Sequence, residues 1–171
     1  CPGEPNICSV RYLGLWMLDN RNHIWYHSIK ERGNEPMTKA IYFDMDGTIA
    51  DLYAVEGWLP MLQSHNATPY RKAKTMVNMN ILARLLNKAQ KEGYTIGIVS
   101  WLAKGSNEQY DTEVTKAKIE WLNKHLHSVQ WDEVHIVAHG TPKHNIVGCP
   151  NGILFDDEAH NRNMWTGTAY D

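Results

Sequence analysis

The stretch Ile41–Leu52, "IYFDMDGTIADL", decides the fold. Ile41, Tyr42 and Phe43 run directly into Asp44-Met45-Asp46-Gly47-Thr48. A short continuous run of β-forming apolar residues predicts a strand covered on both faces. Two carboxylates at the end of such a strand repel one another unless a cation stands between them, so their placement asks for a chemical reason.

Working outward, the same grammar recurs. "VNMNILARLLNKAQKEG" (77–93) puts Met79, Leu82, Leu85 and Leu86 at helical spacing, with Gly93 as a stop. "YTIGIVS" (94–100) reads as a second buried strand. "EQYDTEVTKAKIEWLNKHL" (108–126) reads as a second amphipathic helix, with Val114, Ala117, Ile119, Trp121 and Leu122 carrying most of its apolar surface. "EVHIVAHG" (133–140) and "GILFDDE" (152–158) supply two more strands. Strands alternating with helices predict an α/β protein: a Rossmann-like parallel sheet with right-handed crossovers and helices on both faces.

In open α/β sheets ligands bind beyond the carboxyl ends of the strands. Asp44 and Asp46 follow the first strand, Ser100 the second, Lys143 the third, and Asp156-Asp157 the fourth. Four strand ends thus deliver polar groups to one edge. That set suits the handling of a phosphoryl group with Mg²⁺, which takes oxygen ligands and commonly few carboxylates. A carboxylate beside the ion can attack phosphorus. Lys143 would hold the nucleophile and balance charge. The Ser100 hydroxyl would donate to a phosphate oxygen, and Gly47 lets the backbone approach it.

"FDMDGT", "TIGIVS" ending in Ser100, Lys143 and "ILFDDE" resemble the four motifs of the haloacid dehalogenase (HAD) superfamily of phosphohydrolases, over roughly residues 37–171. The resemblance implies that Asp44 is the nucleophile and a magnesium ligand. It implies that Asp46 is the general acid/base, with its backbone carbonyl facing the metal. Thr48 would support the loop on the substrate side, and Asp156 would bind the metal with Asp157 assisting. A carboxylic acid two residues after the nucleophile favours hydrolysis over storage of a phosphoryl group, so a phosphatase is expected. Residues 50–78 form a short insertion expected to fold as a small cap of two short helices broken at Asn66–Pro69. With it, "DMDGTIADL" is similar to the deoxyribonucleotidase-type branch and to small phage HAD hydrolases. A nucleoside monophosphate, acted on as by a 5'-nucleotidase, is the expected substrate. A polynucleotide end, a sugar phosphate, or a catalytically silent binding module are the alternatives.

Some assignments stay open at this level. Lys104, in "WLAKGSNEQY", rivals Lys143 for the third motif. Trp101, Trp58 and Tyr70 could each stack a nucleobase or simply pack. His135, His139 and His144 lack convincing ligand spacing, and His160 lies near the acidic motif.

Bulk properties bound the rest. A formal net charge of −2 over 171 residues gives no sign of nucleic-acid binding. Arg71-Lys72-Ala73-Lys74 reads as solvated helix surface. Cys1, Cys8 and Cys149 make neither a paired framework nor a CxxC site. A reducing, cytoplasmic compartment is expected, without a membrane span. Residues 1–36 carry no sustained period beyond a weak strand-like run near Val10–Leu18, so the working domain is expected to span 37–171 with 1–36 as an extension. A lid or docking segment is the competing expectation. Members of the resembled family usually continue past "TGTAYD" through a last strand and helix, so a truncated terminus would leave the sheet edge near Thr168–Tyr170 incompletely covered.

Overall fold

The computed structural model describes residues 39–171 and, before them, strand residues 17–18 and 24–27. In chain order the strands are β1 (Met17–Leu18), β2 (Ile24–His27), β3 (Ala40–Phe43), β4 (Ala50–Asp51), β5 (Lys74–Thr75), β6 (Thr95–Trp101), β7 (Glu133–Val137), β8 (Ile153–Phe155) and β9 (Thr168–Tyr170). The helices are α1 (Trp58–Gln63), α2 (Thr68–Lys72), α3 (Met79–Lys91), α4 (Glu108–His125) and α5 (Ala159–Met164), with a 3₁₀ turn at Lys143–Asn145.

The main sheet has the order β1-β2-β7-β6-β3-β8-β9. From β7 to β9 every pairing is parallel, so five strands form a parallel α/β sheet with β3 at its centre. β2 joins β7 antiparallel, in the register Trp25↔His135 and His27↔Glu133, and β1 pairs with β2. These two strands precede Met37 and extend the β7 edge. Of the strand-like run near Val10–Leu18, residues 10–16 lie outside the described residues.

Strand alternation sorts the core into two layers. Ile41 and Phe43 of β3, Ile96 and Ile98 of β6, and Val134 and Ile136 of β7 meet Ala83 and Leu86 of α3 and Trp121 and Leu122 of α4. Ala40, Tyr42, Val99 and Leu154 face the other way, against Val147, Cys149 and Trp165. Gly97 is required here, because a Cβ at that position would lie 2.6 Å from the Tyr42 ring.

α3 starts where Asn78 accepts hydrogen bonds from the N–H groups of Asn80 and Ile81, a side-chain cap that satisfies otherwise orphaned donors. Leu86 is buried, but Leu85 is 59% exposed, so the expected inward stripe is corrected to Met79, Leu82, Ala83 and Leu86. Leu85 sits one position, or about 100° of helical rotation, off that stripe.

The insertion stands on an antiparallel stem of β4 and β5. α1 buries none of its residues, whereas α2 packs Tyr70 into a cluster with Leu52, Ala67 and, from α4, Tyr110, Val114 and Ala117. α4 therefore touches both the sheet and the insertion.

Candidate active site

The loop after β3 is held by its own backbone. Asp44 N–H donates to Phe155 O at 2.8 Å, which locks the β3 and β8 ends together. The Met45 carbonyl accepts from the N–H groups of Thr48, Ile49 and Ala50 at 3.2, 3.0 and 2.8 Å. Such a tight reversal needs a left-handed residue, and Gly47 has φ +79°. Thr48 Oγ1 accepts from Asp157 N–H at 3.1 Å, so Thr48 ties the first loop to the last acidic segment.

Two buried lysines organise the carboxylates. Lys143 Nζ lies 2.9 Å from Asp44 Oδ2 and 2.6 Å from Asp156 Oδ2. It also stands 5.2 Å from the Trp101 ring centroid, a cation–π contact. Lys104 is exposed, so of the two rivals the structure brings only Lys143 to the carboxylates. Lys118, which the sequence reading passed over as part of a helix face, donates to Asp46 Oδ2 at 2.7 Å, Ser100 Oγ at 2.8 Å and Trp101 O at 2.7 Å.

The last acidic segment is pinned by α5. Arg162 Nη1 donates to the carbonyls of Asp156 and Asp157 at 2.7 and 2.6 Å. Both Asp156 oxygens are engaged: Oδ1 by Glu158 N–H at 2.9 Å and Asn161 Nδ2 at 3.3 Å, and Oδ2 by Lys143 and by Asn161 Nδ2 at 3.1 Å. Asp157 differs, since its Oδ1 is buried with no hydrogen-bond partner among the described residues. Carboxylate oxygens of Asp44, Asp156 and Asp157 all lie within 4.8 Å of one another, the arrangement among the described residues that could hold a metal ion. Asp157, a member of that trio, thus carries a buried, unpartnered oxygen of the kind a cation satisfies. Asp46 stands outside that trio, with its Oδ2 held by Lys118.

The electrostatics separate the two aspartates of the loop. Burial alone would raise Asp44, but Lys143 and Lys118, with a hydrogen bond from Ser100, outweigh it and hold Asp44 below the usual carboxylate range. Burial raises Asp46, Asp44 adds to the rise, and Lys118 opposes it without reversing it. Asp157 is pushed up to about 6 by burial and by the charges of Asp44 and Asp156. Like charges brought this close disfavour full ionisation of the group.

Asp44, Asp46, Ser100, Lys143, Asp156 and Asp157 are thus brought together, with Thr48 bracing the loop. Trp101 lines the same edge; its Nε1 donates to Thr141 O at 2.8 Å and its ring tilts against His139 at 4.9 Å. Tyr70 is buried with Lys118 Nζ 5.2 Å from its ring centroid, so it packs rather than faces solvent. Trp58 is half-buried against Tyr53. His135 belongs to a separate network, its Nε2 2.8 Å from Glu133 Oε2, and His160 is exposed. Sequence reasoning missed Lys118 and Arg162. The signal for Lys118 was there: Tyr110, Val114, Lys118 and Leu122 fall at four-residue steps, a lysine inside an apolar stripe.

No family model matches the chain, and no curated protein matches it. Solved structures do. A chain of the structure of a Pnkp1/Rnl/Hen1 complex aligns with a TM-score of 0.50 at 17% identity, covering 84% of this chain and 51% of that one. A structure described as that of a HAD-like phosphatase from Mesorhizobium loti aligns with a TM-score of 0.50 at 13% identity, covering 82% of this chain and 73% of that one. The chain therefore spans about half the length of the first. Together with the parallel sheet and the strand-end carboxylates, these likenesses give the chain the HAD-like fold. Among the described residues no helix is long and apolar enough to cross a membrane.

Proposed function

We propose that this chain is a magnesium-dependent phosphomonoester hydrolase that works through an aspartyl-phosphate on Asp44. The observation that carries the reading is the different surroundings of two neighbouring carboxylates: Asp44 Oδ2 lies 2.9 Å from Lys143 Nζ and its carboxylate clusters with those of Asp156 and Asp157, whereas Asp46 Oδ2 takes a hydrogen bond from Lys118 at 2.7 Å. Burial raises Asp46 while the lysines lower Asp44, a contrast that suits an acid and a nucleophile. In the first step an Asp44 oxygen bonds to phosphorus, the bond to the ester oxygen breaks, and Asp46 gives that oxygen its proton. In the second, water attacks the same phosphorus, Asp46 takes the proton, the bond to Asp44 breaks, and inorganic phosphate leaves. Ser100 and Lys143 bind the phosphoryl oxygens through the transfer.

The donor set fits the metal: Asp44 and Asp157 would hold Mg²⁺, with Asp156 and the Asp46 carbonyl completing the protein's share. Bound there, the ion would withdraw charge from the phosphoryl group under attack.

The substrate we infer is a nucleoside monophosphate such as a deoxyribonucleotide, with the partly exposed Trp101 ring beside Ser100 as the stacking surface. The working domain runs from Met37 to Asp171 with residues 50–78 as its cap. Three cysteines without a paired framework support a reducing, cytoplasmic setting. The test is a screen of nucleotides, sugar phosphates and phosphorylated oligonucleotide ends with Mg²⁺ and with chelator. Hydrolysis of monophosphates that chelator abolishes is expected. A preference for oligonucleotide ends or sugar phosphates would replace the substrate, and no turnover of any ester with Mg²⁺ would overturn the enzyme in favour of a silent binding module.

A further inference from the structure

A lysine does not belong by default on the inner face of α4. Tyr110, Val114, Ala117, Trp121 and Leu122 bury that face, and Lys118 among them is 1% exposed. Taking an ammonium out of water is costly, and an ion pair seldom repays that cost better than an apolar side chain of similar volume would. Its ammonium has three protons and three acceptors, at 2.7 Å to Asp46 Oδ2, 2.8 Å to Ser100 Oγ and 2.7 Å to Trp101 O. A lysine with three donors so placed has none left for a substrate. Whatever it does for the reaction, it does through the groups it holds.

Resting on the phosphatase reading, we infer that Lys118 is a positioning residue that aims the Asp46 carboxyl and the Ser100 hydroxyl at the reacting phosphoryl group. A serine hydroxyl has one proton and two lone pairs. By donating to Ser100 Oγ, Lys118 occupies an acceptor site and turns the serine proton away from itself, toward Asp44 and the phosphoryl oxygens. By gripping Asp46 Oδ2 it fixes the carboxyl plane and leaves Oδ1 as the oxygen that exchanges a proton with the ester oxygen and then with water. The Trp101 carbonyl and the Tyr70 ring, 5.2 Å from Nζ, hold the ammonium itself in place. Asp46 is 72 residues away in sequence, so α4 is the element that sets the acid's orientation.

The test compares kcat/KM for two esters in Lys118→Met, with folding checked by circular dichroism. An alkyl ester, a deoxynucleoside monophosphate or β-glycerophosphate, needs its leaving oxygen protonated. p-Nitrophenyl phosphate hardly does. If Lys118 acts through Asp46, the alkyl ester should lose about a hundredfold or more, within the usual range for misplacing a general acid, and the aryl ester less than about tenfold. Asp46→Asn should show the same selectivity, and adding Lys118→Met to it should cost little more, because residues acting as one unit are not additive. Equal losses on both esters, or full additivity, would overturn the inference and leave the phosphatase standing. A wild type inactive on both esters with Mg²⁺ would overturn the phosphatase and this inference with it. If Lys118→Met does not fold, Lys118→Gln, which keeps a donor on an unbranched chain, is read by the same comparison. Failure of both to fold would make Lys118 a structural prop and overturn its positioning role.

Discussion

Replacing Gly47 by alanine strikes the loop at its tightest point. Gly47 has φ +79°, and a Cβ there would meet Asp157 Oδ2, lie 2.6 Å from Asp157 Cγ and 2.9 Å from Tyr53 Cε2. The left-handed backbone alone costs an L-residue about 1–2 kcal/mol. Forcing a methyl group against these packed side chains adds about 1–3 kcal/mol. The sum is about 2–5 kcal/mol, which for a chain of this size lowers the melting temperature by about 4–20 °C. Gly140→Ala separates the two contributions, since Gly140 has φ +85° with nothing within 4 Å of its Cβ. It should show the backbone cost alone, about 1–2 kcal/mol. Relief of the Gly47 clash requires the Asp157 carboxylate to swing away from Asp44 and Asp156, so Gly47→Ala should also weaken magnesium binding, measured by calorimetry, while Gly140→Ala should not. Equal melting shifts for the two variants, with magnesium binding intact in both, would refute the close packing of loop and carboxylate described above.

Leu86→Ala should cost about 2–5 kcal/mol in chemical denaturation because it empties a core site, whereas Leu85→Ala should stay within about 0.5 kcal/mol; similar losses would contradict the helix's orientation. Glu133 is buried, and hydrogen bonds from His135, Gly148 N–H and Tyr42 outweigh that burial and hold it below its ordinary value of 4.5. Its contribution to stability is therefore complete above pH 4.5 and lost as pH falls through the lower folded value, so wild type should lose stability relative to Glu133→Gln below pH 4.5, and parallel curves would refute the assignment. A chain beginning at Met37 keeps every proposed site residue and should hydrolyse its substrate at the full-length rate, but it loses β2, the antiparallel partner of β7, and should melt several degrees lower. Loss of activity on truncation would place the segment before Met37 in the working domain.

What the sequence made legible was whatever local pattern controls. Apolar runs closed by polar residues located β3, β6, β7 and β8, and strand-end logic placed Asp44, Asp46, Ser100, Lys143, Asp156 and Asp157 on one edge. The choice between Lys143 and Lys104 was not local, because it turns on which chain end meets Asp156 in space. Lys118 was hidden for a related reason. A lysine in a helix reads as surface unless its partners are known, and Asp46 and Ser100 lie 72 and 18 residues away. Leu85 was misplaced because the six apolar residues in "NMNILARLL" fit more than one stripe, and the sheet selects one. β2 was not foreseen, since "IWYH" has four residues and no period to read; its pairing depends on the exposed edge of β7. The Asp44 and Asp46 split likewise comes from burial and two lysines remote in sequence, which residue types alone do not give.

The central claim is the covalent step at Asp44. The most direct measurement mixes Asp46→Asn with p-nitrophenyl phosphate and Mg²⁺, quenches in acid, and maps the chain by mass spectrometry. This ester leaves without help, but water activation has lost its base, so the intermediate should accumulate. The account predicts nitrophenol release together with the added mass of one phosphoryl group on the peptide carrying Asp44, absent in Asp44→Asn. Nitrophenol released at the wild-type rate from Asp44→Asn, with no phosphoryl group on that peptide in any variant, would contradict it.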